Sequence, residues 1–105
     1  GALWLELEVH PDLRGRVRGR TLQYIRQVTG ANLQVPSRAQ PDAPVTVTPK
    51  AGGPEGAVLH AAREVAWALF APLACTAHVA ADGIVGLTVS PQGNVTRTDG
   101  AVLAA

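Results

Sequence analysis

Leu3-Trp4-Leu5-Glu6-Leu7-Glu8-Val9 alternates strictly along the chain. In an extended backbone successive side chains point to opposite faces, so Leu3, Leu5, Leu7 and Val9 share one face and Trp4, Glu6 and Glu8 the other. A strand patterned this way needs cover on one side only, and the following residues have to supply it. Pro11 stops the strand and suits the first turn of a short helix, whose buried side Leu13 and Val17 share at a spacing of four. Arg20 to Thr29 reads as a second helix: Leu22, Ile25 and Thr29 lie on one side, Gln23, Tyr24 and Gln27 on the other. Gly30 is its expected stop, since glycine tolerates the left-handed conformation there. Leu33 and Val35 alternate in a short strand that Pro36 ends. Ser37 to Pro44 is a polar loop, and Val45 to Thr48 a β-branched strand. Glu55 to Phe70 is the longest helical pattern. It gathers Val58, Ala62, Val65, Ala66 and Leu69 on one face and His60, Arg63, Glu64 and Trp67 near the other.

Beyond Pro72 the pattern weakens. Cys75 to Ala80 and Ile84 to Ser90 read as strands, Pro91 to Asn94 as a turn, and Val95 to Thr98 as a hairpin return. Gly100 to Ala105 reads as a frayed or interrupted end. The expected fold is α+β, a two-layer domain of order β-α-α-β-β-α, with a three-stranded sheet and three helices on one face. It occupies residues 1–72. Residues 73–105 form a β-like C-terminal extension that supplies extra strands or begins a following unit. The expected core is Leu5, Leu7, Leu22, Ile25, Leu33, Val47, Val58, Ala62, Val65 and Leu69. The expected open face of the sheet carries Trp4, Glu6, Glu8, Asn32, Gln34, Thr46 and Thr48.

Composition narrows the function classes. With 105 residues, 47% of them hydrophobic and 16% charged, the chain suits one domain with one core rather than a disordered tail. No apolar run approaches the roughly 18 residues of a membrane span, so no membrane partner is expected. The single cysteine, Cys75, provides neither a disulfide framework nor a metal quartet. An intracellular setting follows, cytoplasmic more readily than nuclear. The lack of methionine is expected of a segment of a larger protein. His10, His60 and His78 have no partners at metal spacing, and neither a Gly-x-Ser-x-Gly elbow nor a Gly-Lys-Ser/Thr phosphate loop occurs. Neither enzyme activity nor a metal or cofactor is expected.

The stretch Thr21-Leu-Gln-Tyr-Ile-Arg-Gln-Val-Thr-Gly-Ala-Asn-Leu-Gln-Val-Pro36 resembles the helix-strand pattern of type I KH domains. In that pattern two aliphatics three apart precede Thr-Gly-Ala and a strand, places filled by Leu22, Ile25, Thr29-Gly30-Ala31 and Leu33. Val45 to Pro49 and Ala57 to Phe70 resemble the third strand and third helix, so the likeness spans roughly residues 3–71. Leu7 to Gly19, with a His-Pro step after the first strand, is similar to repeats of tandem-KH proteins of the vigilin and Bicaudal-C type. The resemblance implies a Gly-x-x-Gly loop between the first two helices, whose backbone N–H groups meet nucleic-acid phosphates.

Here the chain departs from the family. Without a gap, the loop positions become Arg16-Val17-Arg18-Gly19, and the first glycine is an arginine. Alternatively Gly15 and Gly19 match the glycines of the first helix and the loop's start, and about three loop residues are missing. The second alignment is preferred, because Leu13 and Val17 then keep their apolar slots. In either, the phosphate cradle is degenerate.

Five arginines, Arg14, Arg16, Arg18, Arg20 and Arg26, fall within thirteen residues free of acids, although the net charge is only +1. Arginine grips phosphate through a planar fork without a glycine loop. Arg14, Arg16, Arg18, Gly19, Arg20 and the variable-loop Arg38 are therefore candidates for weak, salt-sensitive binding of single-stranded RNA. Trp4, His60 and Trp67 are candidates for contact with a protein partner or a neighbouring KH unit. The expected function is a non-catalytic scaffold within a larger RNA-associated protein, with direct RNA binding through the arginines as the alternative. A homodimer through sheet edges is a further expectation.

Overall fold

The computed structural model describes residues 3–80 and 83–98. Its elements in chain order are β1 (Leu3–Leu7), a 3₁₀ helix (Pro11–Val17), α1 (Arg20–Thr29), β2 (Ala31–Gln34), β3 (Val45–Pro49), α2 (Ala57–Leu69), β4 (Leu73–Val79), β5 (Gly83–Val89) and β6 (Val95–Arg97). The α+β character and the β-α-α-β-β-α order of the first six elements are as expected. The sheet is not three-stranded. It has six strands in the order β2-β3-β1-β4-β5-β6, and every adjacent pair is antiparallel.

The physical reason lies in the alternation of the late segments. Leu73, Cys75 and Ala77 point to the same side of the sheet as Leu5 and Leu7, because β4 pairs Leu5 with Ala77 and Leu7 with Cys75. β5 repeats the pattern, setting Leu87 opposite Cys75 and Val89 opposite Leu73. The strand following Pro72 therefore lies along the free edge of β1, and one apolar face runs continuously from Leu33 on β2 to Val95 on β6. Residues 100–105 lie outside the described residues.

α2 lies across this face and touches β1 through β5. Its contact side is built largely of small residues: Ala57, Ala61, Ala62 and Ala66 are buried beside Val58, Val65 and Leu69. Arg63 ties α2 to the β5–β6 turn, its Nε donating to the Gly93 carbonyl at 2.8 Å. α1 packs on α2, β2 and the 3₁₀ helix. Every expected core residue is buried except Leu22, which is partly buried against the core.

Thr29-Gly30-Ala31 joins α1 to β2 within three residues. The Thr29 hydroxyl donates to the Ile25 carbonyl at 2.6 Å and accepts from the Ala31 N–H at 3.2 Å, so one buried side chain ends the helix and starts the strand. Gly30 has φ +73° and caps α1 by donating its N–H to the Arg26 carbonyl. A Cβ there would sit 2.7 Å from Pro54 Cδ. Gly30→Ala therefore combines a left-handed penalty with a steric clash, and is expected to cost roughly 2–4 kcal/mol in a urea or thermal unfolding measurement.

Candidate nucleic-acid interface

The helix after β1 is a 3₁₀ helix, and its three-residue repeat decides which side chains go inward. Residues three apart eclipse, so Arg14 lies beneath Val17, and these two are its buried residues. Leu13, expected to share the buried side with Val17, is only partly buried. An arginine is thus carried into the interior at 1% exposure.

A buried guanidinium must be surrounded by acceptors. Those of Arg14 are backbone carbonyls of the segment between β2 and β3. Nη1 donates to Ser37 at 2.9 Å and Gln40 at 3.0 Å, with Pro36 at 3.4 Å. Nη2 donates to Pro41 at 3.2 Å and Ala43 at 2.6 Å. Two more arginines continue this pattern along the free edge of β2. Arg18 donates to the carbonyls of Val35 and Pro36. Arg26, from α1, donates through Nε and Nη2 to the Leu33 carbonyl at 3.0 and 2.7 Å. Arginine donors thereby engage the carbonyls of Leu33, Val35, Pro36, Ser37, Gln40, Pro41 and Ala43 along an edge strand and its loop.

The remaining candidates are placed differently. Only Arg18 and Gly19 separate the 3₁₀ helix from α1, and Gly19, at φ +60° and exposed, is the N-cap of α1. Arg20 is exposed at the start of α1. Arg16 is exposed and reaches the Leu69 carbonyl at the end of α2 only at 3.4 Å. Arg38 projects from the variable loop and pairs with Asp12 at 2.9 Å. So the six candidates do not form one cluster. Arg14 and Arg18 point their forks at the protein's own backbone, whereas Arg16, Arg20 and Arg38 stand outside.

A cleft of about 490 Å³ opens beside Arg14, between the end of β1 and residues 41–44. Glu6, Glu8 and Asp42 line it, a charge unsuited to phosphate. Cys75 is buried; desolvation, and secondarily the negative charge of Glu8, push its thiol up to about 12. That places it outside the range of reactive cysteines. Among the described residues no three His, Cys, Asp or Glu side chains gather to hold a metal, and no helix is long and apolar enough to cross a membrane.

The three expected protein-contact residues lie on two surfaces. Trp4 stands on the open face of the sheet and stacks on His78 of β4, ring centroids 3.9 Å apart. His78 is held in turn by Glu6, through a bond from its Nε2. His60 and Trp67 lie on the outer side of α2, His60 beside Glu64 at 3.6 Å. Trp67 is 58% exposed and meets Phe70, which is 73% exposed. Phe70 and His78 were not singled out by sequence reasoning. Phe70 falls just past the last apolar position of the helical pattern, where nothing distinguishes it from a terminator. The partnership of His78 with Trp4 depends on the β1–β4 register.

Lysine at position 14 keeps the charge but not the fork that reaches several carbonyls at once. Arg14→Lys and Arg14→Met are expected to destabilise the fold by roughly 3 kcal/mol or more, lowering the melting temperature by about 10 °C or more. The exposed neighbour Arg16→Gln is expected to change stability by no more than about 0.5 kcal/mol. Thermal melts of the variants followed by circular dichroism check both.

No curated protein and no solved structure gives a significant match to the chain. A sequence profile of the KH domain matches residues 5–66, more than half of its length. That span runs from β1 into α2, and includes the Thr29-Gly30-Ala31 junction and the arginine-bridged segment. The chain belongs to the KH domain family, a family of nucleic-acid-binding modules.

Proposed function

We propose that this KH unit is a non-catalytic module of a larger, intracellular, most readily cytoplasmic, RNA-associated protein of the tandem-KH type, and that it works chiefly through protein contacts. One observation carries this reading: Arg14, Arg18 and Arg26 donate to seven backbone carbonyls between Leu33 and Ala43. In the family, the groove for nucleic acid lies between the loop joining the first two helices and the variable loop. In this chain arginine side chains bridge those two walls. The joining loop is reduced to Arg18 and Gly19, too short for a Gly-x-x-Gly cradle of backbone N–H groups. The reading thus treats the loop as degenerate and the groove as closed by internal hydrogen bonds. Trp4, His60 and Trp67 are the proposed contact residues, and a neighbouring KH unit or a second copy is among the proposed partners.

A second reading is favoured by the exposure of Arg16, Arg20 and Arg38. Single-stranded RNA would then run outside the closed groove, held weakly through its phosphates by these three, while Arg14, Arg18 and Gly19 shape the wall beneath. Titration of the domain with a mixed single-stranded RNA pool at roughly 50 and 200 mM salt separates the two, because phosphate contacts weaken steeply over that range. The scaffold reading predicts negligible binding at the lower salt. Binding that falls steeply with salt and is lost in an Arg16→Gln, Arg20→Gln, Arg38→Gln variant would replace it with the second.

A further inference from the structure

Phe70 breaks two rules at once. It is a large apolar side chain left 73% exposed, and its backbone is left-handed, φ +53° and ψ +34°, at the C-cap of α2. It is the one non-glycine residue with positive φ among the described residues. Glycine is the residue that occupies this position without strain. Nothing in the core repays the aromatic ring, which touches Trp67 and otherwise faces outward. Strain retained for an exposed side chain points to a use outside the fold.

The surroundings define that use. Trp67 lies three residues earlier, itself exposed, with ring centroids 5.8 Å apart and planes tilted by 52°. The two rings form an angular notch, not a flat platform for successive bases. Arg16 reaches the carbonyl of Leu69, between the two aromatics in sequence, and so sets a cation at the notch. The nearest acid along α2, Glu64, lies 3.6 Å from His60, whereas the cation that reaches the Leu69 carbonyl beside Phe70 is Arg16.

We infer that the Trp67–Phe70 notch, flanked by Arg16, docks a short segment of a partner protein that carries one large apolar side chain beside carboxylates. The inference rests on the scaffold reading and specifies the surface and the chemistry of its partner. An aliphatic or aromatic side chain fills the notch, and an adjacent Asp or Glu meets Arg16. Trp and Arg are the residue types that dominate interface energetics, and here they stand together with an aromatic neighbour. A nucleic acid fits less well, because the tilted rings cannot hold two consecutive stacked bases.

Phe70→Gly separates binding from folding. Glycine suits φ +53° and removes the ring, so the melting temperature is expected to hold or rise. A displayed library of short random peptides, panned on the full chain, is expected to enrich sequences with one large apolar residue beside Asp or Glu. Their affinity is expected to fall about tenfold or more in Phe70→Gly and Trp67→Ala, and severalfold in Arg16→Gln. Enriched peptides that bind Phe70→Gly as well as the parent would overturn this site and leave the scaffold reading in place. Failure to enrich any peptide would count against the notch as a docking site. Binding of single-stranded RNA that is lost in Trp67→Ala would overturn both, making the notch a nucleic-acid site.

Discussion

A charged side chain carried into a protein interior has to bring its acceptors with it, and much of this molecule is arranged around that requirement at Arg14. The 3₁₀ helix after β1 turns Arg14 inward beneath Val17. The guanidinium then gathers carbonyls from Ser37, Gln40, Pro41 and Ala43. That segment contains prolines and offers carbonyls that no strand partner engages, so the exchange benefits both sides. Once it is made, the β2–β3 connection is held against the 3₁₀ helix. Arg18 and Arg26 then continue the contact along the edge of β2 to Leu33.

This arrangement bears directly on what the KH fold can do here. The family's mode of binding depends on backbone N–H groups presented to phosphates at a glycine-rich loop. In this chain the loop has two residues, and Arg14, Arg18 and Arg26 direct donors at backbone carbonyls, while Arg16 and Arg20 stay exposed. The Nη groups of Arg14 are bonded internally and its unpartnered Nε is buried, so little of its guanidinium is left for a phosphate oxygen. Apolar packing still holds the fold, because the core depends on Leu5, Leu7, Ile25, Leu33, Val47, Val65 and their neighbours rather than on the groove. Arginines bonded to the protein's own carbonyls, and aromatic side chains exposed at the end of α2, are the basis for proposing a scaffold.

Local patterns made some of this legible in advance. Arg20 to Thr29 could be bounded to the residue, because the helix ends at a glycine in the left-handed conformation and starts immediately after another glycine. The alternation of Leu3, Leu5 and Leu7 was equally direct. Other features were hidden by periodicity. Leu13 and Val17 fit an α-helix at a spacing of four, but the actual repeat of three exchanges Leu13 for Arg14 on the buried side. No composition rule favours burying an arginine, so five clustered arginines read most naturally as a surface patch. β4 was visible as a strand, yet its place beside β1 was one of several open outcomes. The choice rests on Leu73, Cys75 and Ala77 continuing the apolar face, a long-range match that no local window contains. The Trp4–His78 stack follows from that register and was equally hidden.

The central claim is that Arg14, Arg18 and Arg26 serve the fold rather than a polyanion. Nuclear magnetic resonance of the arginine side chains tests it most directly, with guanidinium signals followed before and after addition of single-stranded oligouridylate at low salt. Arg14 and Arg26 are predicted to show separate, slowly exchanging Nη signals, as expected for forks locked onto carbonyls, and these should not move when oligonucleotide is added. Averaged, freely rotating signals that shift on titration would contradict the account and return these side chains to a role in nucleic-acid binding.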